Sequence, residues 1–413
     1  MTSRRTILLA CAASVALGLS AGHARPADRI PFEDLRTFAE VLDQVRTSYV
    51  EPVDEHVLLE NATRGMLSQL DPASVYLDVR AFAQLQEITS GQFAGIGLEL
   101  GFDHGRIAVV APIDDSPAAR AGIQPGDIVT SLDGVAIKNL TLSEALERMR
   151  GAAGTTLELS VAREGKAAAR YTLTREIINV VSVRGDIPER DYLYLRIAQF
   201  QVNTGRDLAA VFGRLRARSG GRVRGVVLDL RNNPGGVVQS AVEVADAFLD
   251  GGLIVATRGR GTTATQSFSA ARGDIALGAP LVVLMNDGSA SAAEIVAGAL
   301  QDQKRAVIVG TRSYGKGSVQ TVLPLSGNRG LKLTTALYYT PSGKSIQGRG
   351  IDPDINIAAA FINRPDASVP PPAAQLTTGN PAEPTGPYQG PDQVLAAGLS
   401  ALRKANGAAT APR

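Results

Sequence analysis

Leu281-Val282-Val283-Leu284-Met285-Asn286-Asp287-Gly288-Ser289-Ala290-Ser291-Ala292-Ala293-Glu294-Ile295-Val296-Ala297-Gly298-Ala299-Leu300 passes from five apolar residues through a polar, glycine-containing loop into a run with helical spacing. An apolar run that short, bounded by turn residues, reads as a strand buried on both faces. Val226-Val227-Leu228-Asp229-Leu230 upstream and Ala306-Val307-Ile308-Val309 downstream have the same character, with helical patterns at 237–249 and 292–303 between them. Strand and helix in alternation predict a parallel α/β sheet, whose site lies beyond the carboxyl ends of its strands. The loops at those ends are Arg231-Asn232-Asn233-Pro234-Gly235-Gly236, Asn286 to Ser291, and Gly310-Thr311-Arg312-Ser313-Tyr314-Gly315-Lys316-Gly317.

No histidine follows His104, so a serine nucleophile in these loops needs a lysine to activate it. Ser291-Ala292-Ala293-Glu294 is a capping box, which by itself asks only for a helix start. The same position sets Ser291 beside free N–H groups and the positive end of a helix dipole, a setting suited to an oxyanion. Ser289, two residues earlier, competes for the role, and Glu294 serves either the helix start or the site. Lys316 lies between two glycines; taken out of water, its ammonium loses stability and the neutral amine becomes able to accept a proton. On a strand following Gly317, Lys316, Ser318 and Gln320 share one face, which puts the Gln320 amide within reach of the amine. Gly235 and Gly236 are either plain turn formers or, with Ala292, donors of N–H groups to a developing oxyanion. Gly310-x-x-x-x-Gly315-Lys316 approaches a phosphate-binding loop, but Gly317 replaces the required Ser or Thr and a strand-like pattern follows, so nucleotide binding is set aside.

The chain has 413 residues, of which 44% are hydrophobic and 20% charged, a globular composition with room for several cores. Its net charge of +2, without any basic-aromatic stripe, argues against nucleic acid as a partner. Arg4 and Arg5 precede an apolar run ending in small residues, which reads as an export signal over 1–24. Export by the general or the twin-arginine route, periplasmic residence, and membrane association only through an uncleaved signal are the expectations. Cys11 is the single cysteine and leaves with the signal, so neither disulfide nor thiol chemistry is expected. No metal or cofactor is expected either, because His56 and His104 have no ligand neighbours. Residues 25–90 read as a helical region, 357–391 as a Pro/Ala-rich linker and 392–413 as a helical tail. Apolar faces on the first and last helices suggest a homo-oligomer.

Residues 91–172 carry short alternating strands around one helix at 141–149 and resemble a PDZ domain through Gly95-Ile96-Gly97-Leu98, Ser116-Pro117-Ala118-Ala119-Arg120-Ala121-Gly122-Ile123 and Gly126-Asp127-Ile128-Val129. A PDZ fold takes a chain end as an added strand, and the backbone N–H groups of the Gly95–Leu98 loop would hold its carboxylate. Together with Leu230-Arg231-Asn232-Asn233-Pro234-Gly235-Gly236, Gly288 to Glu294, Tyr314-Gly315-Lys316-Gly317-Ser318-Val319-Gln320 and Thr340-Pro341-Ser342-Gly343-Lys344, the chain from about 35 to 356 resembles the C-terminal processing proteases, tail-specific serine peptidases with an embedded PDZ domain. The resemblance implies a multi-domain α+β protein: a crotonase-like α/β protease core at 173–356, an N-terminal helical region and an inserted PDZ domain. It implies Ser291 as nucleophile, Lys316 as general base and Gln320 as its orienting partner. Gly235 or Gly236 and Ala292 would form the oxyanion hole. Protein substrates with apolar C-termini, and an adaptor protein, are the implied partners. Ala73 stands where the family commonly has histidine, and Tyr314 where phenylalanine is common. Arg150 is a candidate link by which the PDZ reports occupancy to the core. The rival expectation is a non-catalytic PDZ scaffold on a protease fold.

Overall fold

The computed structural model describes residues 31–103, 106–113, 115–163, 165–260, 265–357 and 392–409. The expected export signal, all but the first residue of the expected linker, and His104 lie outside the described residues. Two compact units divide between Met66 and Leu67. In the first, α1 (Phe32–Ser48) leads into α2 (Glu55–Ser68), which ends just past the boundary. Glu33 and Asp34 sit in the first turn of α1 and Arg46 in its last, the placement its dipole favours. Arg46 also pairs with Glu55 at 3.0 Å. Leu35, Phe38 and Val41 recur at helical spacing on α1 and are exposed.

The second unit opens with β1 (Val75–Leu77) and α3 (Val79–Ser90), capped by the Asp78 side chain at one end and by Gly91 in the left-handed region at the other. After β2 (Gln92–Gly95) come β3 (Leu98–Asp103), β4 (Arg106–Pro112), α4 (Pro117–Arg120), β5 (Ile128–Leu132), β6 (Val135–Ala136), α5 (Leu142–Met149), β7 (Thr156–Ala162) and β8 (Ala169–Thr174). These strands pair in the order β3-β4-β5-β7-β8 with β6 on β5. Alternate residues Leu157, Leu159 and Val161 of β7 point into a core with Ile96, Val129, Leu132, Ala145 and Met149. Thr141 and Glu144 cap α5 reciprocally, at 2.7 and 3.2 Å. β9 (Glu176–Asn179) pairs antiparallel with β2, so the chain enters and leaves this module along one two-stranded ribbon.

Beyond it lie β10 (Val183–Glu189), β11 (Tyr192–Ile197), α6 (Thr204–Arg218), β12 (Gly225–Asp229), α7 (Val238–Asp246), β13 (Leu253–Gly259), β14 (Gln266–Ser269), β15 (Leu281–Met285), α8 (Ala292–Asp302), β16 (Ala306–Gly310), β17 (Ser318–Leu325), β18 (Arg329–Tyr339), β19 (Ile355–Asn356) and α9 (Gln393–Ala409). Among the described residues the central sheet has the order β10-β11-β12-β15-β16-β19, parallel from β11 onward. Leu281, Val283 and Met285 face one core with side chains of α6, α7 and α8, while Val282 and Leu284 face a second with Leu399 and Leu402 of α9. Cover on both sides is why these strands are apolar throughout. A second sheet, β1-β18-β13-β14 with β17 on β18, lies outside the parallel one, and its hairpin β17–β18 starts just after Lys316.

Leu402 is 1% exposed among Tyr192, Val227, Val282 and Leu284. Leu402→Ala is expected to lower the stability of the core by about 3 kcal/mol, read from the denaturation midpoint of the second unit.

Candidate active site

Ser291 ends the loop after β15 and opens α8, with φ 56° and ψ −114°. That combination is strained for a residue with a side chain, costing about 1–3 kcal/mol, and it persists only where the surroundings hold it. Glu294 does the holding. This carboxylate is fully buried and takes four donors: Ser291 N (2.7 Å) and Lys316 N (2.9 Å) on Oε2, Ser313 Oγ (2.5 Å) and Gly315 N (2.7 Å) on Oε1. Burial raises its pKa against the pull of those hydrogen bonds. Glu294 thus holds the start of α8 and the backbone of Lys316 with one carboxylate.

The loop after β12 is wired to the loop after β15 at several points. Asn232 N donates to Asn286 Oδ1 and Asn286 Nδ2 returns a bond to Asn232 Oδ1, each at 2.8 Å. Ala290 N donates to Asn233 O at 2.9 Å, and the buried Ser289 hydroxyl donates to Leu230 O at 2.8 Å while accepting from Asn286 N. Ser289 is thus a staple between the loops. At Gly235 the contact is too close for any side chain: a Cβ there would lie 2.7 Å from Ser291 Cβ. The two glycines are not equivalent. Gly235 N is bound to Asn233 Oδ1 at 2.9 Å, which corrects the expectation that its N–H stands free. Among the described residues the N–H groups of Gly236 and Ala292 meet no acceptor.

Lys316 follows the loop after β16, where Gly317 lets the segment at 346–350 approach; a Cβ on Gly317 would lie 2.3 Å from Gln347 N. Burial drives the Lys316 ammonium toward its neutral form, Glu294 opposes this, and the pKa lies below the ordinary lysine value. No hydrogen bond joins Lys316 Nζ to the Ser291 hydroxyl or to Gln320 among the described residues. Gln320 instead donates from Nε2 to Ser318 Oγ at 2.9 Å and to Thr334 Oγ1 at 3.2 Å, and Thr334 reaches Asp71 Oδ1 at 3.1 Å. Lys332 is two residues from Thr334 on β18; burial first, and then the Lys316 charge, lower its pKa while Asp71 opposes. Sequence reasoning missed Asp71 and Thr334, and it gave the helical stretch around Asp71 no part in the chemistry. Among the described residues no cluster of His, Cys, Asp or Glu is arranged to hold a metal.

In the smaller module, the carbonyls of Ile96 and Gly97 are engaged by Ala118 N and Ile113 N at 3.0 and 2.9 Å, whereas the N–H groups of Ile96 and Gly97 meet no acceptor among the described residues. Leu98 of β3 and Ala145 and Met149 of α5 are buried in one apolar cluster with Ile96. Arg150, at the end of α5, lies 3.2 Å from Glu87 of α3 and sits over the Phe93 ring of β2, 5.8 Å from its centroid. Arg150 therefore touches both elements that lead into the module.

Models of known families match three parts of the chain: peptidase family S41 at residues 191–357, a PDZ domain at 109–163, and the activating protease CtpB N-terminal domain at 16–81. The carboxy-terminal-processing protease of Bartonella bacilliformis is 48% identical over 326 residues, covering 78% of this chain and 75% of that protein. The carboxyl-terminal-processing protease of Synechocystis sp. is 36% identical over 335 residues, covering 79% and 77%. Among solved structures, a photosystem II D1 C-terminal processing protease is 32% identical and aligns over 80% of this chain and 94% of that one, with a TM-score of 0.47.

All four contacts to Glu294 come from donors, so an amide in its place would set its own N–H groups against them. Glu294→Gln is expected to destabilise the second unit by about 3 kcal/mol, measured by chemical denaturation, although the substitution changes no volume.

Proposed function

The chain belongs to peptidase family S41, with the carboxy-terminal processing proteases, and from that membership we propose an exported serine endopeptidase that takes proteins by apolar C-termini and cuts them through a Ser291–Lys316 dyad. One observation carries the reading: a single buried carboxylate, Glu294, binds the backbone N–H of both Ser291 and Lys316 and so fixes these two residues against each other. In the proposed reaction the neutral Lys316 amine takes the Ser291 proton as Oγ attacks the scissile carbonyl, and then gives it to the leaving amine. The oxyanion is met by the N–H groups of Gly236 and Ala292, because Gly235 N is already engaged. Water then releases the acyl group with Lys316 again as base. Gln320 orients the amine through its amide oxygen. Proximity completes the dyad only when substrate is present, since catalytic hydrogen bonds commonly tighten on binding.

The PDZ module would seat the substrate's last residues beside β3, with the free N–H groups of Ile96 and Gly97 on the terminal carboxylate and Leu98 against its apolar side chain. Arg150 would report that occupancy, since its guanidinium bridges α5, which flanks the groove, to α3 and β2. An adaptor that delivers substrates would act at the same module.

Cleavage of a flexible reporter protein with an apolar tail is expected to fall at least about a hundredfold in both Ser291→Ala and Lys316→Ala, while a charged-tail reporter is cut poorly by every variant. Activity surviving Ser291→Ala would assign the nucleophile elsewhere, and a wild type inert toward both reporters but labelled by a serine-reactive probe would mark a partner-gated enzyme. Because burial lowers the Lys316 pKa, the wild-type rate should rise with pH through a midpoint below the free-lysine value of about 10.4. Arg150→Ala is expected to abolish stimulation by a free apolar peptide while labelling of Ser291 persists; unchanged stimulation removes Arg150 from the gate.

A further inference from the structure

Among the described residues the Gln320 side chain makes two hydrogen bonds and donates both from its amide nitrogen, to Ser318 Oγ at 2.9 Å and Thr334 Oγ1 at 3.2 Å. A hydroxyl both donates and accepts, so a neighbouring hydroxyl does not by itself dictate which end of an amide faces it. Thr334 has lost that freedom. Its hydroxyl donates to Asp71 Oδ1 at 3.1 Å, and an ionised carboxylate has no proton to return, so the oxygen of Thr334 offers only lone pairs to Gln320. Asp71 is held in this role by Ala73 N (2.8 Å) and Ser74 N (3.0 Å) on Oδ1 and by Ser74 Oγ (2.6 Å) on Oδ2. Burial would push its carboxyl up, but the donors from Ser74, Ala73 and Thr334 outweigh it and hold the carboxyl below the ordinary range. The segment is also pinned to β18 by Thr334 N, which donates to Ser74 Oγ at 3.1 Å, and by the pairing of Val75 with Lys332.

We propose that Asp71 is a positioning residue of the peptidase site: through the Thr334 hydroxyl it fixes the Gln320 amide with both hydrogens engaged and its carbonyl oxygen as the one end left for the Lys316 amine. The inference rests on the reading of Lys316 as base and Gln320 as its partner. An amine acting as base must point its lone pair at the serine, and an acceptor for its own N–H bonds sets that direction. A Gln320 turned the other way would present N–H groups to the amine and compete for the same lone pair. The titratable groups around this face are Asp71, Lys332, Lys316 and Glu294, and Asp71 also offsets the charge of Lys332. With asparagine at 71, an amide N–H can be offered to Thr334, whose hydroxyl then becomes free to donate to Gln320 and let it turn over.

The test is steady-state cleavage of the apolar-tailed reporter across pH by full-length Asp71→Asn, Thr334→Val, Thr334→Ser, Gln320→Ala and the Asp71→Asn/Thr334→Val pair. Asp71→Asn and Thr334→Val are each expected to lower kcat at least about tenfold with KM within about twofold, and to move the pH midpoint of kcat. Thr334→Ser, which keeps the hydroxyl, should recover most of kcat, and the double variant should be no slower than the slower single one, as for residues acting through one another. If Gln320→Ala is slow but Asp71→Asn keeps kcat within about twofold, or if the two single losses multiply, the relay is wrong while the dyad stands. A Gln320→Ala enzyme with wild-type kcat removes Gln320 from the mechanism, and the relay with it. Thr334→Val preserves the shape of threonine, so a folding defect in Asp71→Asn leaves the outcome readable.

Discussion

The buried carboxylate of Glu294 is the constraint on which the rest of the site depends. It gathers the backbone of Ser291, Gly315 and Lys316 and the hydroxyl of Ser313 onto two oxygens, and thereby joins the loop after β15 to the loop after β16. Burial makes the arrangement all-or-none: a donor left without its acceptor inside the protein costs as much as several good packing contacts. The strained backbone of Ser291 is sustained by the same bonds, because relaxing φ would carry its N–H away from Oε2. Position and strain thus have one cause.

Beneath the loops, the parallel sheet supplies rigidity and the composition of α8 supplies closeness. All residues of α8 from Ala292 to Leu300 are buried, and at Gly298 an added Cβ would lie 3.0 Å from the Thr340 side chain. A helix rich in alanine and glycine lets its neighbours pack at short range, so Ser291 sits on an element with no room to shift. The loop after β12 is held from the other side. Arg231 spans the buried Asp229 at the end of β12 and Asp392 at the start of α9, with contacts of 2.5 to 3.0 Å to the two carboxylates. The last helix, far along the chain, therefore braces the loop that begins at Arg231.

Much of this was legible in the residues because it is local. Short, mostly apolar runs bounded by glycine loops gave β12, β15 and β16 within a residue or two, and the Thr141 to Met149 pattern gave α5. What the sequence hid depends on contacts between distant positions. Asp71 and Thr334 are 263 residues apart, and no periodicity around Asp71 hints at a hydroxyl on a strand near the other end of the chain. Gly235 and Gly236 look alike as neighbours in a turn; only the Asn233 side chain, folding back on Gly235 N, distinguishes them. β13 and β14 also escaped, although β13 opens with the apolar run Leu253-Ile254-Val255-Ala256, because they belong to a sheet completed by β18 and stand outside the alternation of strand and helix. The helix expected over 237–249 stops at Asp246 and finishes in tighter turns, with Phe248 N bonded to Ala245 O.

Two demands on Lys316 pull against each other, and the geometry explains which prevails. A nearby carboxylate favours the ammonium, whereas a base needs the amine. Glu294 contributes a charge close to Lys316, yet both its oxygens are turned onto backbone N–H groups and the Ser313 hydroxyl, whose dipoles neutralise much of the field it would otherwise project. The lysine is thus anchored through its backbone by an anion that its ammonium does not bond, and burial remains the larger influence on its charge. A direct ion pair between the same two residues would have fixed the position as firmly and stabilised the protonated form. Anchoring the main chain and leaving the amine unpaired holds Lys316 in place without adding to the stability of its ammonium.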